Sequence, residues 1–332
     1  MTLNRGGKMG LSVKRTSIIS LESRMELDKK GVGVDLGGKK LKDLLENANK
    51  NNNKNNKTEC KDEELKSENI SLEEIKSMHQ YCLDELNWQG INSIKPPFDI
   101  NSDGPNKIDA LEKYESFQPG FLFRIFKFLE EKKKRELLKD IEIAEMKDKA
   151  LWGDYEKISQ LSLRVLNGDL DCYFQVIDEI RPFDRLLKLG SEVEIGTNDS
   201  ESMEVEFKVN SEKVIPKSRF NKEISGNDEE VEITYYEMIE EYVCSSILFV
   251  AKNIMNIIPV NKVVVHAVDN VVDIDKGAKN DITILSIVFD RETLNKLNIK
   301  TVNPIDALDY FICNMRHQKA SGFKNVDRIV QY

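Results

Sequence analysis

Histidine is scarce in this sequence: only His79, His266 and His317 occur among 332 residues. His79 and Cys82 stand one helical turn apart, yet no further ligand lies near them in the chain. No zinc framework is therefore spelled out, and both read as ordinary, partly exposed helix residues. His266 sits inside an apolar run and reads as a hydrogen-bonded core or edge residue. The five cysteines, at positions 60, 82, 172, 244 and 313, include no CxxC pair. Their odd number argues against a closed disulfide framework, so reduced thiols and a cytoplasmic location are expected. No stretch of about 18 apolar residues exists and no apolar run of signal-peptide length follows the N-terminus; neither a membrane-spanning segment nor a secretion signal is expected. GxSxG, Walker A, HExxH and EF-hand patterns are all missing. The glycines of GVGVDLGG, residues 31–38, do not make a dinucleotide fingerprint, which needs a buried strand before it and a helix after it. No cofactor is expected.

Charge, by contrast, is plentiful and unevenly placed. Residues 1–42 hold ten Lys and Arg against four Asp and Glu, a charge of +6, which leaves −15 for the rest of a chain whose total is −9. Alternation broken by Gly31, Gly33, Gly37 and Gly38 makes this a small basic β segment, either a solvated hairpin or a module giving weak polyanion contact. Residues 43–70 contain NANKNNNKNNK, whose apolar surface is too small to offset the entropy of ordering, and form a linker. A charged helical region, coiled-coil in character, spans 71–180. It opens with the capping box Ser71–Glu74 on a helix to about Asn87 and passes an irregular connector around Pro96-Pro97. It continues through Phe121–Phe128, aromatic and basic enough to touch a membrane surface, to a break at Gly153 with Asp154 as the next cap. Asp169 caps a further helix.

Residues 181–332 carry the strongest signals. Ile233, Tyr236, Val243, Ile247, Val250, Ile254 and Ile257 recur at spacings of three and four, a buried helix stopped by Ile258-Pro259. KVVVHAV and DITILSIVF follow as an antiparallel strand pair. Upstream, SEVEIG and SMEVEFKVN alternate as strands around a turn, and EKVIP reads as a third extended piece. Asp290 caps a short helix, and Asn303-Pro304 starts another running through Arg316. The fold class is thus α+β: a mainly antiparallel sheet packed by a long core helix, preceded by the charged helices and the small N-terminal β segment.

One catalytic pattern is legible. Glu206 and Lys208 stand two apart on the polar side of a strand, and Asp199 precedes them. A carboxylate and lysine so spaced, with an upstream acid, are the metal-binding set of PD-(D/E)xK nucleases, in which carboxylates hold magnesium and the lysine meets the developing anion. A half-buried strand with one wet face also presents Glu and Lys at this spacing. His317-Gln318-Lys319 matches the opening of the phospholipase D motif, but the aspartate position is Lys324. PFDRLLKLGS, EKVIP, the run YEMIEEYVCSSILFVAKNIMNIIPVNKVVVHA, ILSIVFDRETL and NPIDALDYF resemble a set of uncharacterised bacterial proteins. Those proteins join a glycine-containing N-terminal module to a charged helical middle and a C-terminal α+β domain. The resemblance implies architecture and no activity. An interaction or adaptor role with an unknown protein partner is the expected function, and a metal-dependent nuclease using Asp199, Glu206 and Lys208 is the alternative.

Overall fold

Alternation in residues 192–208 is realised as two antiparallel strands, β2 (Glu192–Thr197) and β3 (Ser202–Lys208), with Val193 opposite Phe207 and Glu194 opposite Glu206. The structure, a computed structural model, describes residues 15–19, 70–120, 127–218, 220–221, 234–272 and 279–330, with the backbone alone described at 15–19, 271–272 and 279. The expected basic segment 1–42 outside 15–19, the linker 43–70 apart from Ile70, and residues 121–126 of the aromatic stretch lie outside the described residues. The described residues fall into two units, one holding 15–19, 70–86 and 167–330, the other 87–120 and 127–166.

The first unit is built on a sheet of order β1-β2-β3-β4-β5-β6. The helices α5 (Leu170–Ile180) and α6 (Asp184–Leu189) lead into β2, and β1 (Arg15–Ile19) runs antiparallel to it. β4 (Lys262–Val272) and β5 (Lys279–Asp290) form the expected antiparallel pair, with a bulge at Ala267/Val268. β6 (Ile312–Met315) adds an antiparallel edge. Among the described strands, only β3 and β4 pair in parallel. A parallel pair needs a crossover, and the helix α8 (Tyr235–Ile257) supplies it.

α8 begins at a capping box in which Thr234 accepts from the Glu237 amide and Glu237 accepts from the Thr234 amide. One of its sides meets the sheet, where Phe207 and Tyr242 stack edge to face at 6.5 Å. Val205, Phe207, Val265, Ile287, Ile247 and Ile254 are fully buried in this layer; each is worth about 1.5–3 kcal/mol relative to exposure. A second side of α8 meets residues 70–86. α1 (Leu72–Lys76) and a 3₁₀ turn at Met78–Tyr81 lead into extended chain. Ser245 Oγ accepts from the His79 amide at 3.0 Å, Asn253 Oδ1 from the Leu83 amide at 2.8 Å, and the Asn256 carbonyl from the Leu86 amide at 2.7 Å. More than one neighbour therefore covers α8, as its all-round apolarity requires.

This docking corrects the helix expected from Ser71 to Asn87. The capping box is present, but the helix stops at Lys76 because the following amides pair with polar side chains of α8 in place of their own turn. His79, expected partly exposed, is buried. Asp290 caps α9 (Arg291–Lys296), and Arg291 closes the other end of α8: its guanidinium donates to the carbonyls of Met255 at 2.6 Å, Ile258 at 2.8 Å and Val260 at 2.8 Å. Helix ends leave such carbonyls unsatisfied, and a cation suits the negative pole. The expected extended segment EKVIP is instead a short helix, α7 (Ser211–Val214), entered through Asn210 in the left-handed region. α10 (Pro304–Ala307) does begin at Asn303-Pro304, yet the helix expected through Arg316 ends within a turn and the chain becomes β6. Pairing with β5 outweighs the helical preference there.

The second unit holds α2 (Trp88–Asn92), α3 (Pro105–Glu115) and the 40-residue α4 (Lys127–Leu166). The break expected at Gly153 is not there; α4 runs straight through it. A single glycine costs a helix only about 1 kcal/mol, less than Trp152 returns by packing edge-on against Phe98 and Tyr155. Buried Asp148 of α4 caps α3, accepting from the amides of Asn106 and Lys107 at 3.2 and 2.8 Å. Gly104 stands at that junction because a Cβ there would lie 2.3 Å from the Asp148 carboxyl carbon.

Candidate functional site

Opposite the face covered by α8, the sheet carries polar side chains. Period-two alternation sends Glu204, Glu206 and Lys208 of β3 to this side, with Glu194 and Glu192 of β2 facing Glu206 and Lys208. β4 and β5 contribute His266, beside Glu206 in register, and Ser286 opposite it. Residues 326–329 then run along β5. The Val326 amide donates to the Thr283 carbonyl and the Ile329 amide to Ser286 Oγ, each at 2.9 Å.

Each carboxylate here has a defined relationship. Glu206 Oε2 receives the Arg328 guanidinium at 2.7 Å, and the same guanidinium donates to Thr283 Oγ1 at 3.1 Å. Glu204 Oε1 lies 3.1 Å from His266 Nε2, and His266 Nδ1 lies 2.9 Å from Ser286 Oγ. Since a carboxylate accepts, Nε2 carries a proton toward Glu204. Glu192 and Lys208 approach only to 3.9 Å at the rim. Burial, and then the neighbouring Glu206 charge, raise the Glu194 carboxyl above its ordinary range, while Lys208 and Arg328 oppose the shift.

The Glu204–His266–Ser286 chain has the acid, base and hydroxyl of a nucleophilic triad, and sequence reading did not find it. The strand pairing that assembles it is tertiary, and only the isolated His266 in an apolar strand hinted at a polar network. Ser286 is fully buried, His266 is 1% exposed, and the serine oxygen already accepts from Ile329. With both groups enclosed and the serine oxygen already bonded, the three side chains form an internal hydrogen-bonded chain.

The three residues read as a metal set are held differently. Glu206 and Lys208 do share the polar face. Asp199 does not join them: its carboxylate accepts from the amides of Glu201 and Ser202, both at 2.8 Å, and so closes its own turn. Among the described residues no three His, Cys, Asp or Glu side chains are arranged to hold a metal ion. Burial pushes the Cys82 thiol up to about 12 and that of Cys313 up to about 11, and raises Cys244 well above its ordinary value. No helix among the described residues is long and apolar enough to cross a membrane. Comparison with known protein families, curated proteins and solved structures finds no match to this chain.

Proposed function

We propose that this chain is a non-catalytic interaction protein that engages a protein partner through α4. The observation that carries the reading is the outward side of that helix. Phe128 and Met146 are both 63% exposed and Ile143 is 46% exposed. Phe128 and Met146 are five turns apart and so share one side, Ile143 lies one turn from Met146, and buried Ala144 and Ser162 lie on the opposite side. Large apolar side chains aligned away from a helix's own core suit a partner helix or groove. The sheet's polar face supports the same reading, since two of its acids, Glu206 and Glu204, are engaged by Arg328 and His266. A Phe128→Ser/Met146→Ser double variant tests it. Removing exposed side chains changes stability by about 0.5 kcal/mol or less each, so the variant folds like the parent and loses its partner on co-purification. A variant that keeps the same partner in the same yield refutes the reading.

The metal-dependent nuclease reading retains one observation in its favour: Glu194 and Glu206 face each other across β2 and β3, with Lys208 next on the wet side. Its test is magnesium- or manganese-dependent cleavage of DNA or RNA by the parent, abolished in Glu206→Gln. Absence of cleavage by the parent removes it.

A further inference from the structure

Away from the polar sheet face, a small hairpin, β7 (His317–Gln318) and β8 (Gly322–Phe323), lies on the first half of α8. Gly322, at φ +72°, permits the approach: a Cβ there would meet the Tyr236 ring at 2.8 Å. Beside this hairpin is a cleft of about 660 Å³ lined by Glu240, Met315, Arg316, His317, Gln318 and Lys324. Inside it, His317 Nδ1 lies 2.9 Å from Glu240 Oε2, with the two side chains only 5% and 15% exposed. The carboxylate fixes the ring and makes Nδ1 the donor. Nε2 is also buried and has no hydrogen-bond partner among the described residues, an expensive state for a ring nitrogen unless something else bonds it. Arg316 and Lys324 are exposed at the rim and have no ion-pair partner among the described residues. Lys319, by contrast, is taken up by Glu237 at 2.6 Å.

The cleft therefore combines two uncommitted cations, an amide at Gln318 and an oriented imidazole with one nitrogen to satisfy. Its single carboxylate is already engaged. A compact anion with several oxygens meets all of these together. We propose that this cleft binds a phosphate-class oxyanion, with Arg316 and Lys324 as its counter-charges and His317 Nε2 as its inner hydrogen-bonding group. A phosphate hydroxyl donates to neutral Nε2, or protonated Nε2 donates to a phosphate oxygen; both leave the Nδ1–Glu240 bond in place.

The test uses the full chain and the ring signals of its three histidines in proton–nitrogen NMR, with His317 assigned through His317→Gln. Inorganic phosphate, added at constant ionic strength, is expected to move the His317 signals saturably while those of enclosed His79 and His266 stay. Arg316→Ala and Lys324→Ala, both at exposed positions, should each weaken the phosphate affinity about tenfold. A short oligodeoxynucleotide without terminal phosphates separates the sources of the phosphoryl group. Tighter saturation by it assigns the cleft to a nucleic-acid backbone, and weaker saturation to a free phosphate or phosphomonoester. No saturable movement with either probe, or unchanged affinity in both alanine variants, overturns the proposal.

Discussion

Arg328 donates to Glu206 across 122 positions of sequence, at 2.7 Å, with the two side chains only 21% and 19% exposed. The pair ties residues 326–329 to the polar face of the sheet and neutralises an acid that already faces Glu194. Arg328→Ala leaves a largely buried carboxylate without its cation and should destabilise the chain by about 1–3 kcal/mol. Glu206→Gln should cost less, since its amide oxygen still accepts and Arg328 keeps Thr283. Urea unfolding of the two variants checks the order; equal midpoints for Arg328→Ala and the parent would show that the pair contributes nothing.

Glu194 gives this face a pH signature. Its folded-state carboxyl is raised by burial and by Glu206, so between the unfolded value, about 4.3, and the raised folded value the native state binds more protons than the unfolded one. Stability contributed by Glu194 is thus full below the unfolded value and falls as pH rises through the folded value. Glu194→Gln should be more stable than the parent at pH 7, and the gain should vanish in acid below about pH 4. Thermal melts across that range decide the matter; a gain that grows on acidification would reverse the sign.

Asn253 holds the 79–86 segment to α8 by accepting from the Leu83 amide at 2.8 Å, and donates to the Pro182 carbonyl at 3.2 Å. Asn253→Ala orphans both groups and should cost about 2–6 kcal/mol, two partners at about 1–3 kcal/mol each. Hydrogen exchange should quicken first at the Leu83 amide. Unchanged exchange there would mean that the segment is held by its apolar contacts alone.

Gly153 lies within unbroken α4, and a Cβ added there meets nothing within 4 Å. Gly153→Ala should therefore stabilise the second unit by about 0.5–1 kcal/mol. A helix interrupted at Gly153 would gain nothing, so a melt of the alanine variant in the full chain separates the two pictures.

How much was legible follows from the range of the forces involved. The α8 stripe from Val243 to Ile257, its end at Ile258-Pro259, the β2–β3 alternation, the β4–β5 pair and the caps at Ser71, Asp169, Asp290 and Asn303 rest on contacts within a few residues and are present in the structure, while Ile233 of the expected stripe lies outside the described residues. The failures concern distant partners. Residues 77–86 leave the helix for Ser245 and Asn253, residues 312–315 for β5, and Gly153 stays helical because Trp152 packs on Phe98. At the candidate site, the polar side of Glu206 and Lys208 could be read from period two alone. Arg328 and Ser286 could not, because strand order and the path of residues 326–329 bring them there.

We propose α4 as a protein-binding surface. Its most direct measurement is photo-crosslinking in cells from an unnatural residue placed at position 146, compared with the same residue at exposed position 300. One discrete protein adduct is expected from position 146, lost when Phe128→Ser is added and not formed from position 300. No adduct from 146, or the same adducts from both positions, would contradict it.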